Sequence, residues 1–432
     1  MKAIVHANIY DYVGYKQDQY VLYDGGILAV GDMADYRRPR ECTEELDVKG
    51  ALLMPSLVIG HAHLYGAYLR AFRPKTFQPL TFRELLQQLF WELDGALDLD
   101  GCYHSARAMA LDHIRSGVTT IFDHHASGAA IRGTLEQLRR GWVEESGLRG
   151  AFCFETSDRF DVDACIEENV SFHKAHKADG WSCGMFGMHA SMTLSERTLR
   201  KVRERIEDIP LHVHVAESLE DQEECIALYG KRIVERFLDH GIVSPGSIFA
   251  HCVNINEREA FLMAENGVTA ALNTVSNINC GHGVADYRAL RRFGVSTMIG
   301  NDSLGANIAA DYRIFVFAQH LRSKNVWHVN TEDLLCCIRN GYAQASRALG
   351  VPLGRIEPGY AADMLTVEYN PYTPMEESSV FDHVFDALFQ QFRPRNVWCA
   401  GIQKLKDYSV TLDEERICFE SRGCAQRIWQ SI

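Results

Sequence analysis

Eight apolar, β-rich runs recur along the chain: Leu52–His63, Thr119–His125, Gly150–Thr156, Gly184–Ala190, Leu211–Glu217, Ile248–Val253, Val268–Thr274 and Thr297–Asp302. Most are followed by a stretch with helical patterning. Continuous apolar strands suit a parallel sheet, because helices cover both of its faces. Eight such units predict an α/β fold closed as a (β/α)8, TIM-like barrel. The helices between them have readable ends. Asp100 precedes Gly101–Ser116, where Ala106, Ala110 and Ile114 repeat at helical spacing, and Gly117 stands where a helix stops. Leu80–Leu93 is amphipathic, with Leu85, Leu86, Leu89, Phe90 and Leu93 on one stripe. Such a stripe predicts core packing and no cofactor role.

The two ends read differently. Residues 1–50 alternate strand-like runs around turns, and Asp24-Gly25-Gly26 between Tyr20–Tyr23 and Ile27–Val30 signals a hairpin. Strand-like runs resume in Asp363–Val367 and Asn396–Ile402. The expected organisation is a barrel over 54–360, with 1–53 and 361–432 joining as a small β-sandwich domain.

Composition narrows the function classes. Lys plus Arg is 44 and Asp plus Glu is 57, giving a net charge of −13. Such an acidic chain is a poor binder of nucleic acid or anionic lipid. No apolar run approaches the ~20 residues of a membrane span, and the start lacks the apolar stretch of a secretory signal, so a cytoplasmic protein is expected. The 13 Cys are odd in number and contain no C-x-x-C pair, which predicts buried small hydrophobes and no disulfide framework.

The histidines carry the chemistry. In a strand, residues two apart share a face, so His61 and His63 both point to one side at the end of the first run. His212 and His214 repeat this in the fifth, and Glu217 follows three residues after His214. Converging neutral imidazoles make half of a zinc or iron site, and a carboxylate just beyond a ligand is placed to move protons. The sixth run ends at His251 and the eighth at Asp302. Polar residues at strand C-termini of a barrel meet at one mouth. Four strand ends that each offer a ligand type predict a metal site.

The stretches "MPSLVIGHAHLYGAYLRAF", "SGVTTIFDHHASG", "HVHVAE", "FAHCVN" and "GRIEPGYAADM" resemble the amidohydrolase superfamily. The likeness is to its branch of cytosine, guanine and S-adenosylhomocysteine deaminases and triazine hydrolases, and within it to the SsnA family of aminohydrolases, associated with purine catabolism. The resemblance implies that His61, His63, His214 and Asp302 hold one divalent metal, most simply zinc, with iron or manganese as alternatives. It implies that Glu217 shuttles protons, that His251 hydrogen-bonds the attacked group or the water, and that Asp302 also takes a proton. The implied reaction is hydrolytic deamination of a heterocycle of purine or pterin type, with ammonia released. A cyclic amide or ring chloride is the alternative substrate, and a metal-binding barrel without turnover, serving in binding or assembly, is the alternative of another class. Relatives of this kind are often homodimers or larger. The chain departs from the family pattern at Asn254, Thr274 and Ser303, which bears on the loops that shape the pocket.

Other residues are weaker candidates. His189, His125 and Asn277 are read as substrate contacts. Strand alternation sends one of His124 and His125 to the mouth and the other to the helix layer. His212 is read as packing behind a ligand. Tyr65, Arg70 and Trp91 lie where a covering loop is expected. His173, His176, His282, His320 and His328 are read as structural, and Glu223-Glu224 as a solvated helix face.

Overall fold

The computed structural model describes residues 1–432. Eight barrel positions follow in chain order: Leu57–Ala62, Val118–His125, Arg149–Phe154, a fourth split into Ser182–Gly184 and Phe186–Met188, then Leu211–Val215, Ile248–His251, Thr269–Leu272 and Ser296–Ile299. Neighbours pair in parallel. A bridge between Thr156 and Met188 spans the split fourth position, and one between Ala62 and Asp302 joins the eighth strand to the first. The chain is an α/β barrel protein.

The first run, Leu52–His63, is divided. Leu52–Pro55 pairs antiparallel with Met364–Val367, whereas Leu57–Ala62 enters the barrel, and only Ser56 separates them. Leu52 and Met54 face the large core, while Leu53 faces a smaller cluster with Ile4, Val21 and Trp398 on the other side of the same sheet. That sheet has nine strands, drawn from both ends of the chain, and includes the Tyr15–Tyr23/Ile27–Asp32 hairpin. A buried ion pair ties it to the barrel: Arg149 Nε donates to Asp363 Oδ2 at 2.7 Å and Nη2 to Oδ1 at 3.0 Å. Gly117 sits at φ +76°, and a Cβ there would come within 2.7 Å of Leu365 Cδ2, so both conformation and space require glycine.

Two segments differ from the sequence expectation. The helix Leu99–Arg115 is capped by Asp98, which accepts from Gly101 N, and not by Asp100. Glu414–Ser431 is a helix and not part of a sheet. It packs along Leu99–Arg115, with Arg107 Nη1 donating to Glu420 Oε2 at 2.6 Å and Trp429 Nε1 to the Tyr68 carbonyl at 3.1 Å. No helix is long and apolar enough to cross a membrane.

Candidate metal centre and active site

Donor nitrogens of His61, His63 and His214 lie within 4.8 Å of one another at the barrel mouth, all three residues buried. Strand alternation brings the first two together, and the fifth strand brings the third. The remaining ring atoms are anchored. His63 Nδ1 donates to the His124 carbonyl, and His61 Nδ1 is 2.8 Å from His212 Nε2. This leaves Nε2 of His61 fully buried with no hydrogen-bond partner, an arrangement costly for a polar atom unless a ligand completes it. Nε2 of His214 is 3.3 Å from Nε2 of His63. Burial, reinforced by the neighbouring imidazoles, holds His61 and His214 well below the ordinary histidine range, so both are neutral donors. The set fits a divalent metal.

A second triple, Glu217, His251 and Asp302, stands beside the first. Asp302 Oδ1 is 3.1 Å from His63 Nε2, and its other oxygen accepts from Ser276 Oγ. Burial alone would raise the Asp302 carboxyl, but the bond to and charge of His63 hold it well below the usual range. Burial, with the Asp302 charge behind it, pushes Glu217 well up. The two carboxyls are thus driven apart, one ionised and one protonated. His251 Nδ1 donates to Asn277 Oδ1 at 2.8 Å, so its Nε2 is the acceptor, 3.5 Å from Glu217 Oε2. Ala216, His251 and Asp302, none of them glycine, hold left-handed backbone at φ +48°, +73° and +62°. Such strain concentrates at functional sites.

The structure redistributes the weaker candidates. His189 lines the cavity. His125 does not: its Nε2 turns to Cys102 Sγ and Ser127 Oγ in the helix layer, and its neighbour His124 takes the inward face. Asn277 orients His251 and is not among the cavity-lining residues. Asn254 donates to the carbonyls of Ala216 and Glu217, pinning the turn that carries Glu217. His282 Nε2 lies 3.5 Å from Glu217 Oε1, outside the cavity lining. The Leu80–Leu93 stripe is not only core. Thr81 caps a short helix that continues through a π turn, and Phe82, Leu86, Phe90 and Trp91 roof the cavity. Arg83 in this roof bonds Glu224 across the mouth, so Glu224 is not simply solvated.

The sequence reading missed one further group. Glu155, just past the third strand, and Asp94 in the roof segment both line the cavity and share Arg159, whose Nη1 is 3.2 Å from Glu155 Oε1 and whose Nη2 is 2.5 Å from Asp94 Oδ1. Burial lifts the Glu155 carboxyl to about 8. The rule that singled out His189, a polar residue at a strand end, also covers Glu155.

Residues 52–403 match the amidohydrolase family. The chain belongs to this family. It is a hydrolase acting on carbon–nitrogen bonds other than peptide bonds. It is 30% identical over 333 residues to the 5-methylthioadenosine/S-adenosylhomocysteine deaminase 2 of Archaeoglobus fulgidus, spanning 74% of this chain and 75% of the relative. It is 25% identical over 426 residues to the 5'-deoxyadenosine deaminase of Methanosarcina barkeri, spanning 96% and 94%. Among solved structures, an adenosine deaminase from Xanthomonas campestris with bound zinc superposes with a TM-score of 0.85 at 21% identity, covering 100% of this chain and 98% of the other. The zinc-complexed atrazine chlorohydrolase from Arthrobacter aurescens gives 0.81 at 21%, covering 98% and 100%. These structural likenesses place this amidohydrolase in the same fold.

Proposed function

We propose that this amidohydrolase deaminates an aminated heterocycle hydrolytically, with adenine-type rings as the first class to test. The observation that carries the reading is the pairing of Glu217 and Asp302, within 4.8 Å of one another and of His251, with one carboxyl driven towards its acid form and the other towards its base form. His61, His63, His214 and Asp302 would hold one divalent ion. Zinc is favoured by the His/carboxylate donors, with iron and manganese as alternatives. When bound, the ion supplies Lewis acidity that makes water nucleophilic at neutral pH.

The chain's own groups do the rest. Neutral His251 accepts a hydrogen bond at Nε2 and so orients the attacking water. Glu217 gives its proton to a ring nitrogen as the carbon–oxygen bond forms. Asp302 takes a proton from the water and returns it to the departing amine. The carbon–nitrogen bond then breaks, ammonia leaves, the ring keeps the oxygen, and the second proton of the water returns to Glu217. The named activities of the curated relatives, all deaminations of adenine compounds, support this order of testing.

The test is ammonia release from adenosine, 5'-deoxyadenosine, 5'-methylthioadenosine, aminated purines and aminated pterins, run beside a cyclic amide and a chlorotriazine. Ammonia from any of the amines supports deamination. Turnover of the amide or chloride alone overturns it.

A further inference from the structure

We propose that His282 is a positioning residue for the acid of this site: its Nε2–H donates to Glu217 Oε1 and stabilises the carboxylate that proton transfer leaves behind. The inference rests on the acid role read for Glu217 above. Glu217 stands between two imidazoles. His251 Nε2 lies 3.5 Å from its Oε2, and His282 Nε2 lies 3.5 Å from its Oε1. The two rings cannot play the same part. His251 Nδ1 donates to Asn277, so its Nε2 is an acceptor, and the acid proton of Glu217 belongs on Oε2. Oε1 is then the carbonyl oxygen, which only accepts, and the group that complements it is an N–H.

His282 is placed to supply that group. Its side chain is 7% exposed, and its Nε2 is buried without a hydrogen-bond partner. A buried polar atom of this kind is costly unless something completes it. Burial also lowers the imidazole to about 4, so the ring is neutral and carries one N–H. Besides Glu217, the titratable groups that face it are His251 and Asp302. Asn277 holds both rings at once: its carbonyl accepts from His282 N at 2.8 Å, and its side chain accepts from His251 Nδ1 at 2.8 Å. Phe82 of the roof packs edge-on against His282, with ring centroids 4.4 Å apart. A gap of 3.5 Å is at the long edge of a hydrogen bond, and catalytic bonds of this length often tighten only when substrate is bound. Once Oε2 has given its proton to the ring nitrogen, charge spreads onto Oε1, and the bond from His282 grows with it. An interaction that strengthens in this way lowers the barrier and leaves substrate binding unchanged.

The experiment has two arms, and the first needs no turnover. Heteronuclear magnetic resonance spectra of the histidine rings in the zinc-loaded, full-length protein, with His282→Gln to assign the ring, should show the Nε2–H tautomer of His282. Its Nε2 signal should shift in Glu217→Ala. An Nδ1–H tautomer, or a signal indifferent to Glu217→Ala, overturns the proposal. The second arm uses whichever amine the ammonia screen identifies. His282→Leu should lower kcat about 10- to 100-fold, with KM little changed. His282→Gln, whose amide N–H reaches the same place, should recover most of the loss. Equal kcat in wild type and a folded His282→Leu overturns the proposal, as does a Gln variant no better than Leu. If no amine is turned over, the deamination reading falls, and the tautomer of His282 alone decides the proposal.

Discussion

His61 Nδ1 and His212 Nε2 face each other at 2.8 Å behind the metal hub. For His61 to offer Nε2 to a metal, its proton must sit on Nδ1 and be donated to His212. His212 then carries its own proton on Nδ1, which faces Cys153 Sγ at 3.7 Å. The tautomers along this row are fixed by one another, and outer partners of this kind tune metal affinity. His212→Ala should weaken zinc binding by about 10- to 100-fold, read by competition with a chromogenic chelator. His212→Gln, which keeps an acceptor, should recover part of the loss. Equal affinity in wild type and His212→Ala would remove the orienting role.

Glu217→Gln keeps the shape of the side chain and removes the proton donor. Turnover should fall about 10²- to 10⁴-fold with zinc content unchanged. A rate equal to wild type would sink the assignment.

Asp302→Ala should lose the metal from freshly purified protein while the fold persists, because His61, His63 and His214 stay buried at the barrel mouth. Elemental analysis beside a circular-dichroism melt measures both. Full metal content in the variant would place the fourth ligand elsewhere.

The strands of the barrel could be read from the chain because two-sided burial forces continuous apolar runs. The split at Ser56 could not, since Leu52, Leu53 and Met54 meet the same apolar demand in the end sheet as Leu57, Val58 and Ile59 meet in the barrel. The convergence of His61, His63 and His214 was legible because period-two spacing aims such residues at one mouth. Asp94 carries no spacing signature, and only the folded chain brings it to Arg159, whereas Glu155 obeys the strand-end rule that singled out His189. Phe82, Leu86, Phe90 and Trp91 read as core because a roof over a cavity needs the same apolar stripe as a helix on a sheet. His125 and His124 exchanged places because strand phase at a boundary is uncertain by one residue, and one residue reverses the face.

Asp311 is buried on the helix Ile308–Ser323, and burial lifts its carboxyl to about 8. The folded value lies above the unfolded one, so the folded state holds a proton that the unfolded state releases. Stability from this group is therefore full below about pH 4 and is lost as pH rises to about 8. Asp311→Asn should melt higher than wild type at pH 9, and the gap should close by pH 5. A gap that widens on acidification would show the opposite sign.

Asp363 receives two bonds from Arg149 and one from Ala400 N. Asp363→Ala leaves a buried guanidinium without its partner. The expected loss is about 3–5 kcal/mol, measured by urea denaturation, with the end sheet and the barrel unfolding at separate midpoints. A change below about 1 kcal/mol would mean that the pair does not join the two sheets energetically.

The space enclosed above the hub is about 40 Å³, room for a few water molecules, whereas pockets that take a drug-sized ligand run to ~300 Å³ or more. A ring of the proposed substrate class would need the Phe82–Trp91 roof to part from the mouth. The Arg83–Glu224 bond, which ties that roof to the helix Leu219–Tyr229, is the contact that such a parting would break, so the hold on the substrate door lies in a surface ion pair and not in the metal ligands.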